Sequence, residues 1–156
     1  MMAKAAERRT APRTGKESRH RAREAAVQML YQWEVGRSTM PEVLETFWTH
    51  DPASTPPLSE DLRGFAADLA SGVVNSVAEL DPVISEAADN WRLERMNVMD
   101  RLILRMAVHE FLHERETPGR VIINEALELA RTFSNDDSVR FINGILDAIR
   151  RRLERE

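Results

Sequence analysis

The chain has 156 residues, 42% hydrophobic and 31% charged, which suits one soluble globular domain. It contains no cysteine, which excludes a disulfide scaffold, a cysteine zinc knuckle, an iron–sulfur site and a thiol nucleophile, and favours a reducing, cytoplasmic setting. No stretch approaches the roughly 18 apolar residues of a membrane span, the start lacks the apolar core of a secretory signal, and the net charge of −4 is unevenly spread.

Residues 1–23 carry eight basic side chains against Glu7 and Glu17, a local charge of +6 that leaves −10 for the rest. Arginine outnumbers lysine 20 to 2, and its planar fork suits phosphate and base recognition. A GC-rich coding sequence accounts for that preference in the body of the chain but not for the clustering at the front. The segment is open to three readings: an idle solvated tail, a targeting peptide, or a nucleic-acid contact. The last is favoured because Ser18-Arg19-His20-Arg21-Ala22-Arg23 runs straight into a helical pattern. Residues 1–17 are expected to form a flexible basic arm, and residues 18–152 a single helical domain.

Helical periodicity dominates the remainder. The first helix is expected from Ser18 to Gly36, a left-handed stop, with a stripe of Ala22, Ala26, Met29, Leu30 and Trp33. A short helix after Pro41 carries Val43, Leu44, Phe47 and Trp48, and residues 51–58 form the clearest loop. Ser59 caps a long helix bearing Leu62, Phe65, Ala66, Leu69 and Val73. Asp81-Pro82 then reads as an N-cap and first turn, restarting the chain as a separate helix to about Asp89. Asn97 with Asp100 resembles a capping pair opening a helix to His113 that is apolar nearly all round, hence central. A helix over 119–133 follows Thr117-Pro118. Residues 134–138 form a turn and cap, and the last helix carries Phe141, Ile142, Ile145, Leu146 and Ile149. The expectation is an all-α protein of about seven helices.

His109-Glu110-Phe111-Leu112-His113 matches the H-E-x-x-H zinc signature on a helix. A third ligand is hard to find. No histidine follows His113 closely, and Glu125 lies only 12 residues on, in the very next helix. Arg101, Arg105, His109 and His113 share one stripe, so a divalent ion there would face two cations. A polar seam on a central helix is the preferred reading. Asp136-Asp137 before Ser138 reads as capping and helix-dipole complementarity rather than acid–base chemistry.

Residues 18–33 (SRHRAREAAVQMLYQW), 100–110 (DRLILRMAVHE), 121–131 (VIINEALELAR) and 137–147 (DSVRFINGILD) resemble, in order, segments of the NusB family of bacterial transcription antitermination factors. The resemblance implies an all-helical fold of two packed subdomains, no catalysis and no cofactor. It also implies binding of boxA in nascent ribosomal RNA jointly with the ribosomal protein NusE, on an RNA polymerase complex with NusA and NusG. A homodimer is compatible with it. Family RNA contacts carry over onto Arg19, His20, Arg21 and Arg23, and onto Asp137, Arg140 and Phe141. Asp100 and Arg105 are assigned to the protein partner, although a structural cap or helix pair explains Asp100 equally well. Single-stranded RNA is read by cationic grooves and stacking platforms, so the arm is expected to neutralise phosphates and Phe141 either to stack or to pack in the core. The alternatives are a helical protein-interaction module without RNA specificity, a zinc hydrolase, or an RNA-binding front domain of a ribosomal RNA methyltransferase.

Overall fold

The computed structural model describes residues 15–50, 57–89 and 91–156. The first helix, α1 (Gly15–Glu34), begins three residues before the expected Ser18, so the helix reaches into the segment read as a flexible arm. Residues 1–14 of that arm lie outside the described residues. Ala22, Ala25, Ala26, Val27, Met29 and Leu30 are buried along α1 and fix its orientation. The helix stops differently from the expectation: Arg37, at φ 57°, takes the left-handed conformation, not Gly36. Gly36 is needed for close approach instead, since a Cβ there would lie 2.6 Å from the Gln32 carbonyl oxygen.

The second helix, α2 (Met40–Thr46), opens on a full capping box. The Thr39 hydroxyl oxygen accepts from the Glu42 amide at 3.3 Å, and the Glu42 carboxylate accepts from the Thr39 amide in return. A 3₁₀ turn, Phe47–His50, follows. Most of the loop expected at 51–58 lies outside the described residues.

Ser59 caps α3 (Glu60–Ala87), accepting from the Leu62 amide. This helix absorbs what the sequence suggested were two, because Pro82 does not restart the chain. An interior proline removes one helical hydrogen bond and crowds the preceding turn, at a cost of about 3 kcal/mol. Here Pro82 sits on the exposed side, while Val73, Leu80 and Ile84 carry the buried stripe through it. Asp81, expected as an N-cap, instead receives a two-pronged hydrogen bond from Arg105 at 2.8 and 2.9 Å. The count is therefore six α-helices among the described residues.

After a 3₁₀ turn at Leu93–Arg95, the central helix α4 (Val98–His113) starts at Asn97, whose Oδ1 accepts from the Met99 amide. Asp100 is not the capping partner; its carboxylate turns inward. Ten of the sixteen residues of α4 are buried, as expected for a helix packed on several sides. It touches α1 and α3 on one side and α5 (Gly119–Phe133) and α6 (Asp136–Arg152) on the other. One continuous buried cluster links α1–α3 to α4–α6. Asn135 caps α6 through the Ser138 amide, with Asp136 and Asp137 in its first turn and three arginines in its last, matching the helix dipole at both ends.

The chain end closes the connection between α4 and α5. Arg155 is buried, and its guanidinium donates to the carbonyls of Phe111 (3.0 Å), Glu114 (2.7 Å) and Thr117 (3.0 and 3.1 Å). These are carbonyls at and beyond the end of α4 that its own ladder leaves open. Arg155→Ala is expected to cost about 3 kcal/mol by leaving three carbonyls, that of the buried Phe111 among them, without their donor. Urea unfolding should register the loss, and Arg155→Lys should restore only part of it because an ammonium lacks the flat fork.

Candidate nucleic-acid interface

The first turns of α1 bring Arg19, His20 and Arg21 to the surface or near it, while Arg23 turns inward. Arg19 is exposed, with its Cζ 5.6 Å from the centre of the Phe65 ring on α3. A cation on an aromatic face keeps its charge toward solvent while its stem is held. His20 is half-buried: Nδ1 lies 2.8 Å from Glu125 and Nε2 3.4 Å from Glu24. Arg21 is half-buried and engaged.

Arg23 corrects the sequence expectation. It is 2% exposed and cannot reach an RNA strand across the surface. Nε and Nη2 donate to the two oxygens of Glu110 at 3.0 and 2.8 Å, and Nη1 donates to Glu125 at 3.0 Å. Burial opposes its charge, but hydrogen bonding and attraction, from Glu110 first and Glu125 next, raise the guanidinium above its ordinary pKa. The i, i+4 spacing of Arg19 and Arg23 puts both over Phe65, one outside and one inside.

The same network dismantles the H-E-x-x-H motif. Glu110, which would be the catalytic base, has both oxygens occupied by Arg23. Along the polar stripe of α4, Arg101 donates to Glu34 of α1 at 2.9 Å and Arg105 to Asp81 of α3, while His113 lies 2.9 Å from Glu79. The seam joins α4 to its neighbours. His109 lies in this seam with Nδ1 unpartnered, and its Nε2 lies against Gly72, where an added methyl would collide with it. Among the described residues, no group of three or more histidines and carboxylates is placed to hold a metal.

A second cluster forms where the 3₁₀ turn and the starts of α4 and α6 meet. Asp137 and Arg140 are exposed and paired to each other at 2.9 Å. Phe141 is half-buried and meets Trp91 edge to face, 5.4 Å between ring centres. Trp91 is 56% exposed. Trp91, Phe141 and Asp137 line an open pocket of about 320 Å³ together with Arg95, Asn97 and Asp100, while Arg140 lies outside its lining. Sequence reasoning placed Asp137, Arg140 and Phe141 here but missed Trp91, Arg95 and Asn97. The signal was a lone tryptophan in a stretch of turn residues, outside every apolar stripe.

The two residues assigned to a protein partner are interior. Asp100 is 6% exposed and accepts from the Ser134 and Ser138 hydroxyls at 3.1 and 2.9 Å. Arg105 is 7% exposed and committed to Asp81, with Glu34 3.9 Å away. Both sit on a helix buried on most sides, so each ties helices together and leaves little surface for another protein.

Two measurements check this geometry. Arg23→Met should destabilise the fold by about 3–5 kcal/mol, because Glu110 and Glu125 would stay buried without their cation. Arg19→Gln should cost less than about 1 kcal/mol in the same urea titration. Burial, and then the neighbouring His113, lowers the pKa of His109 below the ordinary 6.5, with Glu79 opposing. The unfolded chain therefore takes up this proton more readily than the folded one, and stability falls as pH drops below about 6.5. His109→Gln should flatten that part of the stability–pH curve.

Residues 20–151 match the family model described as NusB family. The transcription antitermination protein NusB of Koribacter versatilis is 44% identical over 139 residues, covering 89% of this chain and 92% of that protein. Its counterpart from Solibacter usitatus is 42% identical over 136 residues, covering 87% and 90%. Among solved structures, T. maritima NusB superposes with a TM-score of 0.75 at 31% identity, covering 85% of this chain and 90% of that one. A NusB solved with NusE and double-stranded RNA gives 0.73 at 23% identity, covering 87% and 98%, a likeness that concerns the fold alone. With nearly the whole helical body matched in sequence and in shape, the chain belongs to the NusB family.

Proposed function

We infer that the protein is a non-catalytic transcription antitermination factor that binds single-stranded boxA RNA together with the ribosomal protein NusE. The observation that carries this reading is its match to proteins named for antitermination, along most of both chains. The site adds support. Arg19 and Arg21 offer cationic groups at or near the surface of an otherwise acidic protein, and an exposed tryptophan beside Phe141 offers a stacking surface. A structural neighbour at 26% identity comes from a crystal of an RNA supercoil. The candidate RNA contacts are therefore Arg19, His20, Arg21, Asp137, Arg140 and Phe141.

The acidic body suits a basic ribosomal protein, whose docking would enlarge the RNA-binding surface beyond what a few arginines supply. Assembly with NusA and NusG on RNA polymerase, a homodimeric resting form and a cytoplasmic location belong to the same reading. Among the described residues no helix is long and apolar enough to cross a membrane.

Mobility-shift titrations with boxA and scrambled RNA, with and without NusE, test it. The expected result is a preference for boxA that NusE strengthens. Arg19→Gln with Arg21→Gln should weaken boxA binding and flatten the logarithmic salt dependence by roughly 0.7 for each phosphate that is no longer neutralised. Equal retention of boxA and scrambled RNA with NusE present would leave a helical protein-interaction module in place of an RNA reader.

A further inference from the structure

Glu110 and Glu125, the two buried carboxylates that hold Arg23, stand on different helices, and the connection between those helices sets their separation. Glu110 lies in the last turn of α4 and Glu125 in the second turn of α5. None of residues 114–118, which form the corner, is buried, so apolar packing does not fix its angle. That task falls to a segment distant in sequence.

Residues 153–156 fold back from the end of α6 as a hook. The Glu154 amide donates to the Arg151 carbonyl at 3.1 Å and the Arg155 amide to the Arg150 carbonyl at 2.9 Å, the paired bonds of a Schellman turn. Glu154, at φ 53°, occupies the left-handed position that such turns usually give to glycine. The bend aims the Arg155 fork at the end of α4, where it takes the carbonyls of Phe111, Glu114 and Thr117. Its Cζ lies 6.0 Å from the centre of the Phe111 ring. The backbone of the hook meets the start of α5. A Cβ on Gly119 would lie 2.6 Å from the Arg155 carbonyl oxygen, and the Arg120 amide donates to the Glu156 main-chain oxygen at 3.4 Å. One short segment thus pins the residue after Glu110 and the first residues of the helix that bears Glu125.

We propose that the hook is a positioning element for the basic edge of α1, in which Arg155 sets the spacing of Glu110 and Glu125 and so the seat of Arg23. The assignment rests on the RNA-binding reading above and adds to it a buried residue that acts without touching RNA. The line of contact runs from Arg155 to Phe111, through the adjacent Glu110 to Arg23, and one turn back along α1 to Arg19. If the corner opens, the two carboxylates part, and Arg23 cannot keep its fork on Glu110 and its bond to Glu125 together. Arg19 shares the Phe65 ring with Arg23 and moves with it. Residues in such a contiguous network tune a distant site without contact with its ligand.

Two readouts on the full chain test this, at a temperature where every variant is folded. One is the Nε–Hε nuclear magnetic resonance signal of Arg23, the other fluorescence-anisotropy titration with labelled single-stranded boxA RNA. Arg155→Ala should move the Arg23 signal and weaken boxA binding about five-fold. Gly119→Ala, which keeps the guanidinium but displaces the hook, should do the same. Arg155→Lys should recover part of both. Millimolar guanidinium, at ionic strength matched with sodium chloride, should restore both in Arg155→Ala by occupying the vacated carbonyls. Val43→Ala, a buried substitution on α2 outside the network, should lower stability and leave both readouts as in the wild type. An unmoved Arg23 signal in folded Arg155→Ala overturns the proposal, as does an equal effect of Val43→Ala, which would make lost stability the cause. A moved signal with unchanged affinity overturns the role at the RNA edge. No binding of boxA by the wild-type chain overturns the RNA reading and the purpose assigned to the hook, and the Arg23 signal then decides whether hook and ion pair are coupled at all.

Discussion

Arg23 is a full positive charge inside the protein, and three helices are arranged around its needs. It rises from α1, takes both oxygens of Glu110 on α4 and one of Glu125 on α5, and lies against Phe65 of α3. Desolvating such a group costs several kcal/mol, which only well-aligned partners offset. The arrangement therefore contributes register more than net stability: α1 cannot slide or rotate on α4 without breaking a directional fork. The neighbouring residues of α1 inherit that register. Arg19, one turn earlier, is carried to the outer side of the same phenyl ring, so an interior ion pair positions an exterior cation.

The central helix repeats this logic along its length. Asp100, Arg105 and Glu110 are charged residues on a helix otherwise wrapped in apolar neighbours, and each finds partners on a different element. The hydrophobic cluster supplies most of the driving force for folding, while these polar ties select one packing among several that an apolar helix would accept. The motif resembling a zinc site is an outcome of that arrangement, since its histidines and glutamate face helices rather than an open cleft.

Helix existence was legible from the amino-acid order because buried residues recur at helical spacing, and the bounds of α5 follow directly from the Pro118 start and the Ser134 stop. The proline at 82 misled because a local rule, proline as first-turn residue, competed with a stripe that continues from Val73 through Leu80 to Ile84. The stripe won. Arg23 was misplaced by composition: eight basic residues near the front suggest one surface, yet Arg23 is spaced three, four and seven residues before Ala26, Val27 and Leu30, all buried. Periodicity held the answer that charge clustering obscured. Asp100 and Arg105 illustrate the same point, because a helix apolar nearly all round has little exterior on which to display them. Which partners they meet, serine hydroxyls for Asp100 and Asp81 for Arg105, depends on tertiary packing, and no local pattern encodes it.

The separations bridged by Arg23 carry a consequence for biosynthesis. Its partners lie 87 and 102 residues further along the chain. On the ribosome, α1 therefore emerges long before the carboxylates that will neutralise its inward arginine have been translated. Until α4 and α5 arrive, that guanidinium has no reason to leave water, and the helix has no directional anchor for its final pose. The native seat of the leading helix is thus settled late, by segments nearer the other end of the polypeptide.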